Sequence, residues 1–314
     1  MAARRAVAIG GGTGLPLVLG CLLDGGFDVT AVVTMADDGG SSGSLRRELG
    51  ILPPGDIRNC LVALAEPGSE LGRVFQYRFG KGEGLAGHAL GNLIIAALAE
   101  LEGDFARGVE AAGQLLGVRG RVLPSTLADV VLTGRDAAGR LVIGQANVAV
   151  TDGPVTRVCV EPASPPAYGP AVEAVRAADV IVIGPGSLFT SIIPNFLVAG
   201  MTEAVRESDA RVVYVCNVAN MRGETAGMSA ADHVDALVAH GLADDIDAAL
   251  VDDGTVAPLV VPGAPELRPV YGGAADRQRI EALGIAVRLA PLADPHMPTR
   301  HDRARLAAAL AEVW

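Results

Sequence analysis

The first stretch of the chain narrows its possible folds more than any other. Arg5–Ile9 is a short apolar run that enters Gly10-Gly11-Gly12-Thr13-Gly14. Leu15–Leu23 then has the texture of a helix, stopped by Gly25-Gly26, and Val29–Met35 is a second apolar run. Strand, glycine-rich turn, helix and strand in this order open a parallel, doubly wound sheet. Sheets of this kind bind ligands at the carboxyl ends of their strands. The polar, glycine-rich stretches of this chain all fall at such ends, which makes them the places to look for a site.

Farther along, Asp56–Ala65, Glu70–Phe79, His88–Leu101 and Phe105–Leu116 read as helices, a helical region over about 55–118. The segment "DVVLTGRDAAGRLVIGQANVAV" holds two strand-like runs around a polar turn. That is a hairpin signal, so an antiparallel insertion is expected at about 128–151. Glu161–Pro170 is Pro-rich and reads as a connector. The βα rhythm returns with the strand Val180–Ile183 and a helix through Phe196 to Arg206 that holds or breaks at Pro194. Val212–Cys216, Ala248–Val251 and Ile285–Leu289 read as strands, and Ala230–His240 and His301–Val313 as helices. The expected architecture is a Rossmann-like, doubly wound α/β fold with a mostly parallel sheet, in one domain over 1–314. The helical region and the hairpin would be insertions in it.

Charge and cysteine usage limit the partners. The 314 residues have a formal charge of −11 and no dense basic run, which argues against nucleic acid as the main partner. An acidic chain still binds an anion locally through backbone N–H groups and a few arginines. The four cysteines, Cys21, Cys60, Cys159 and Cys216, form no CxxC pair and read as buried, reduced thiols of the cytoplasm. "MAARRAVAIGGGTG" reads as a first strand, not a signal peptide. No stretch approaches ~18 uninterrupted apolar residues, so no membrane span is expected.

Each candidate motif has a bland alternative. Glycines at Gly11, Gly12 and Gly14, with Thr13, let a backbone approach a phosphate at a helix start; a tight turn is the alternative. The stretch is neither the dinucleotide fingerprint nor a P-loop, because Leu15 replaces the third glycine and no Gly-Lys-Ser/Thr follows. Asp37 and Asp38 follow the second strand, where acids hold ribose or substrate hydroxyls or a divalent metal, or simply cap a turn. Gly39, Gly40, Ser41 and Ser42 offer a donor-rich nest for an anion, or a flexible loop. In "LPPGDIRN", Asp56 is a helix cap or a site residue, and Arg58 with Asn59 suits phosphate or carboxylate. His88 and Asn92 are four apart and would share one helix face. No further His or acid stands at metal-ligand spacing, which argues against zinc.

"VIVIGPGSLFTSIIPN" offers a second anion corner at Gly184, Pro185, Gly186 and Ser187, and Ser187 lacks the G-x-S-x-G setting of a nucleophile. Asn217 and Asn220 leave a strand end and suit a base edge or sugar hydroxyls, while Arg222 either serves the site or pairs with Glu224. Tyr271 could stack on a base and Arg300 face a diphosphate; a core-edge ring and a solvated charge are the alternatives.

Taken in order, "GGGTG", "ADDGGSSGSLRRELGILPPGDIRNCLVALA", "HALGNLIIAALAEL", "GPGSLFTSIIPN" and "CNVANMRGETAGMSAADHV" resemble the YvcK-like gluconeogenesis-factor family. That family lies within a superfamily typed by 2-phospho-L-lactate transferase (CofD). The resemblance implies a cytoplasmic bacterial protein that binds a UDP-sugar of the UDP-N-acetylglucosamine type. It implies a part in cell shape and wall synthesis during gluconeogenic growth. Protein partners in wall synthesis and a homo-oligomer fit the same expectation. The related transferase uses magnesium to move a phospholactyl group onto a deazaflavin, and its active site lies at the equivalents of Gly10–Gly14 and Asp37-Asp38. This chain has "PPGDIRN" where the transferase pattern has an acid-rich loop. The first reading is therefore a non-catalytic sugar-nucleotide regulator, for which magnesium is the one cofactor left open. A magnesium-dependent transferase, with Asp37 or Asp38 on the metal, is the alternative.

Overall fold

The computed structural model describes residues 3–313 except 137, 152, 154, 222 and 257–267. The chain opens with β1 (Arg5–Gly10), α1 (Leu15–Asp24) and β2 (Asp28–Val33). Helices α2 (Gly40–Leu49), α3 (Gly55–Leu64), α4 (Glu70–Gln76), α5 (Leu90–Glu102) and α6 (Phe105–Leu116) lead to β3 (Arg121–Pro124). Then come β4 (Val131–Asp136), β5 (Leu141–Ile143), the single turn α7 (Gln145–Val148) and β6 (Val155–Glu161). The remaining elements are α8 (Gly169–Arg176), β7 (Val180–Ile183), α9 (Met201–Arg206), β8 (Arg211–Val215) and α10 (Ala230–Ala239). They end with β9 (Ala248–Asp252), α11 (Ala274–Ala282), β10 (Ala286–Ala290) and α12 (Arg303–Ala311).

A seven-stranded sheet runs β10-β9-β8-β7-β1-β2-β3, and every neighbouring pair in it is parallel. Its central strands are buried on both faces, as parallel strands between helix layers must be. All of β7 is buried, and β1 and β2 expose only their first residues. With few aromatics, the core is made of Ala, Val, Leu and Ile, and small residues let layers approach. Gly108 in α6 lies so close to α5 that an added Cβ would sit 2.5 Å from Ala99 Cα. The helices take local stop and start signals: Asp104 caps α6 through Arg107 N–H, and Ser229 with Asp232 forms a capping box on α10.

Several sequence expectations change. The Gly/Ser run after Asp38 is the first turn of α2, not a flexible loop. His88 precedes the N-cap residue Ala89 of α5, so it does not share a helix face with Asn92. The expected hairpin gains a third strand: β5-β4-β6 is an antiparallel sheet, because β6 pairs with β4 along its whole length. The helix expected through Phe196 to Arg206 is a π-helical turn at Leu188–Ile192, a 3-10 turn at Ile193–Leu197 and then α9. Pro194 ends regular helix there by removing a backbone donor. Cys159 is exposed on β6, while Cys21, Cys60 and Cys216 are buried and free.

The π-helical turn is held from outside. Buried Glu224 accepts the N–H groups of Phe189 at 2.6 Å and Thr190 at 3.1 Å, and the Thr190 hydroxyl lies 3.3 Å from its second oxygen. It therefore does the work of a helix cap. Burial pushes the Glu224 carboxyl up from 4.5 to about 7, against the pull of these hydrogen bonds. A folded-state rise of this kind adds stability that is complete below the unfolded value and lost as pH climbs through 7. Its full size is on the order of 3 kcal/mol. Urea unfolding from pH 4.5 to 8 should show this loss in the natural protein, and Glu224→Gln, which mimics the protonated acid, should make the slope shallower, most of all between pH 6 and 7, above the range of the other raised acid, Asp56. An unchanged pH slope in the variant would contradict the assignment.

Candidate functional site

The strand order reverses at β1. The chain places β2 and β3 on one side of it and β7, β8, β9 and β10 on the other. The loops after β1 and β7 therefore leave neighbouring strands in opposite directions and open a crevice between them. Both loops are glycine-rich, and they touch. A Cβ on Gly14 would run into the Pro185 carbonyl, and one on Gly186 would lie 3.2 Å from the Gly11 oxygen. Only bare backbone fits this approach.

The crevice is a cleft of about 640 Å³. Its floor is Gly12, Thr13 and Gly14 after β1 and Pro185, Gly186 and Ser187 after β7. Asn217 fixes the second turn by accepting Gly186 N–H at 3.1 Å and donating to the Gly186 carbonyl at 2.7 Å. Val218, Ala219 and Met221 form one wall. The other wall is a strap that runs from Asp294 through Met297, Thr299, Arg300 and His301 to Arg303. Turns within the strap hold it: Asp294 N–H reaches the Arg300 carbonyl at 2.9 Å, and Arg300 N–H the Met297 carbonyl at 2.8 Å. His301 is anchored to the Cys216 carbonyl at 3.0 Å, and burial lowers its pKa. Among the described residues, the N–H groups of Thr13, Gly14 and Ser187 have no protein acceptor. Three open donors in one cleft at a helix start favour an anion there.

A second polar cluster lies on the β2 side of the first turn. The Asp56 carboxylate accepts Gly12 N–H at 2.7 Å, which locks the turn from behind. Ser42 Oγ accepts Gly55 N–H at 3.1 Å. Ser41 Oγ meets Asn92 Nδ2 at 3.0 Å and His88 Nδ1 at 3.1 Å. Arg58 is buried and donates to Asn59 Oδ1 at 2.7 Å, with its Nε unpaired, and Asn92 Oδ1 is likewise unpaired. Burial raises the Asp37 carboxyl. Burial first, and the Asp37 charge second, push Asp56 up to about 6. Arg58 is shifted down by burial.

The sequence candidates thus divide between two neighbouring sites. Gly12, Thr13, Gly14, Pro185, Gly186, Ser187, Asn217 and Arg300 line the cleft. Gly11 backs it, and Gly184 leads into it with φ of 75°. Asp37, Ser41, Ser42, Asp56, Arg58, Asn59, His88 and Asn92 form the second cluster. Gly39 and Gly40 are the entry to α2, where Gly39 N–H reaches Asp37 at 3.0 Å. Asn220 is buried behind the wall, with Nδ2 on the Met228 carbonyl at 2.9 Å and Oδ1 unpaired. Tyr271 is exposed and rests on Gly254, and it is not among the residues lining the cleft. Arg222 lies outside the described residues, and its alternative partner Glu224 serves the π-helical turn instead. The strap residues Asp294, Thr299 and His301 were not singled out from sequence. Their signal was a polar, Pro-containing run directly after the last strand.

Magnesium at Asp37 and Asp38 fits these side chains poorly. Both Asp38 oxygens are taken by N–H groups at the start of α7, Gln145 at 2.9 Å and Ala146 at 2.8 Å, while Asp37 turns to Gly39. Among the described residues no three His, Cys, Asp or Glu side chains gather as a metal site. No helix among them is long and apolar enough to cross a membrane.

A doubly wound sheet with paired glycine turns at its reversal point defines the class, and the chain belongs to the CofD family. Residues 6–293 match that family, described as 2-phospho-L-lactate transferase CofD. Its relatives include the gluconeogenesis factor of Bacillus subtilis, 41% identical over 315 residues, with 100% of this chain and 99% of that one covered. The gluconeogenesis factor of Halalkalibacterium halodurans is 44% identical over 290 residues, covering 91% of this chain and 88% of the relative. A crystal structure of a UPF0052-family protein from Bacillus halodurans superposes with a TM-score of 0.91. It is 40% identical and covers 99% of both chains.

The contact between the turns gives a direct prediction. Gly14→Ala should cost about 2 kcal/mol or more of stability, because a carbonyl must move from a packed strand end. Gly26→Ala, with open space around its Cβ but φ of 77°, should cost only about 1 kcal/mol. Equal losses in thermal or urea unfolding would contradict the close approach.

Proposed function

We propose that this chain is a sugar-nucleotide-binding regulator that takes a UDP-sugar of the UDP-N-acetylglucosamine type. It acts in the cytoplasm, in gluconeogenic growth and in the cell-shape and wall synthesis that depend on it. One observation carries the reading: three unpartnered backbone N–H groups, at Thr13, Gly14 and Ser187, in one cleft at the reversal point. The diphosphate belongs on these donors, where it satisfies them without needing a cationic floor. Arg300, on the strap, supplies a positive charge from the opposite wall. Asn217 and the wall after β8 face the nucleoside, and Tyr271 waits outside for a base or sugar. The names of the relatives support the gluconeogenic setting.

A second reading is a transferase, and Asp56 is the observation that favours it. A carboxyl with a pKa of about 6, hydrogen-bonded to the first glycine turn, is suited to taking a proton from a hydroxyl near neutral pH. The substrate hydroxyl would enter from the cluster of Ser41, His88 and Asn92.

Calorimetric titration with UDP-N-acetylglucosamine separates the two, run with and without magnesium beside UDP, GDP and an oxidised deazaflavin. The regulator reading expects saturable binding of the UDP-sugar, recovered intact, and a loss of affinity of about tenfold in Arg300→Ala. Product formation that disappears in Asp56→Asn would establish the transferase. Absence of UDP-sugar binding would overturn the regulator.

A further inference from the structure

The β5-β4-β6 sheet has one face against the body, where Leu132, Val158 and Val160 are buried. Its other face is open. Antiparallel pairing puts Arg135 directly opposite Arg157 and Thr133 opposite Cys159. On the β5 side, Leu141 stands opposite Arg135 and Ile143 opposite Thr133. Residues so opposed project from the same face. The outer face therefore carries a row of Leu141, Arg135 and Arg157, then a row of Ile143, Thr133 and Cys159, and at its far end Val131 opposite Glu161, two rows away from the arginines. Leu141 and Ile143 are 59% and 57% exposed.

Among the described residues, no carboxylate pairs with either arginine of this row. Arg135 donates only to the Gly139 carbonyl, at 2.9 Å, and the Arg157 side chain has no hydrogen-bond partner. Like charges directly opposite each other weaken a sheet. The two facing guanidinium groups stand on one exposed sheet face in a chain of net charge −11. The row lacks negative charge, and the aliphatic pair beside it lacks an apolar cover.

We infer that this face docks an acidic, extended segment of another protein. Its carboxylates pair with Arg135 and Arg157, and its alternate aliphatic side chains cover Leu141 and Ile143. A second copy of the same face would bring four guanidinium groups together, so the charge selects a different, acidic partner. The sheet is also tied to the cleft: Val155 N–H, at the start of β6, donates to the carbonyl of Glu224 at 3.2 Å. The Glu224 side chain in turn holds the π-helical turn that follows Ser187, so the sheet and that turn share one residue.

Cys159 offers a native handle for the test, since the other cysteines are buried. The protein is equilibrated with Cys-bearing peptides supplied as mixed disulfides with glutathione, so that the Cys159 thiolate takes the peptide sulfur and releases glutathione, and adducts at Cys159 are counted by mass spectrometry. The peptides are an alternating Glu/Val sequence, the same composition in separate blocks, and an alternating Lys/Val sequence. The inference expects the alternating acidic peptide to win over the basic one by about tenfold, the sum of two cross-strand charge pairs. It also expects that peptide to win over its block isomer, which long-range charge alone would not achieve. The double variant Arg135→Glu/Arg157→Glu should reverse the charge preference, and Ile143→Ser should remove the preference for alternation while leaving the charge preference. Thermal unfolding of each variant confirms folding; should the Glu pair fail to fold, Arg135→Gln/Arg157→Gln replaces it and is expected to abolish the charge preference, and Ile143→Thr replaces an unfolded Ile143→Ser. Equal capture of the two acidic peptides, an unreversed preference, or self-linked dimers outcompeting the acidic peptide would overturn the inference.

Discussion

The Pro185 carbonyl occupies the space where any side chain on residue 14 would go. This single close approach sets the spacing of the two loops that leave β1 and β7, and the cleft is what remains above them. It demands glycine on one side and a fixed carbonyl on the other. Asn217 fixes that side by bonding both the N–H and the carbonyl of Gly186. Asp56 fixes the first side from behind, through Gly12 N–H. The open donors of Thr13, Gly14 and Ser187 thus sit on a floor braced from two directions. Such a floor needs little rearrangement to accept an anion, which keeps the entropic cost of binding small.

Residue chemistry explains how much of this was legible in the sequence. The central strands were readable because parallel strands buried on both faces must be unbroken apolar runs, as in Val180–Ile183. The glycine turns were readable because they follow those runs directly. Edge elements were harder. β3 is only Arg121–Pro124, and β6 alternates buried and exposed residues beside a Pro-rich stretch that reads as connector. The Gly/Ser run after Asp38 looked like a loop because glycine and serine are poor helix formers. It is helical because its packing overrides propensity: Ser41 and Ser42 are buried against His88, Asn92 and Gly55. His88 and Asn92 do meet, as their spacing suggested, but through Ser41 and not along one helix. The strap was missed because its role depends on where the chain returns after β10, which no local pattern states.

Acid placement separates three roles that the letters Asp and Glu do not distinguish. Asp38 is structural: both its oxygens hold α7 and so dock the small sheet onto the body. Glu224 is a cap supplied from a distant loop. Asp56 stands between structure and chemistry, bonded to the first turn and raised toward neutrality by burial and by Asp37. Membership of a family typed by a transferase is therefore compatible with either a regulator or an enzyme on the same floor.

The central claim is that the donors at the two turns bind the diphosphate of a sugar nucleotide. A crystal structure of the protein soaked with UDP-N-acetylglucosamine tests it most directly. The account predicts phosphate oxygens within hydrogen-bond distance of the N–H groups of Thr13, Gly14 and Ser187, with Arg300 facing them from the strap. A ligand seated instead among Asp37, Ser41, Arg58 and Asn92, with the turns left bare, would contradict it.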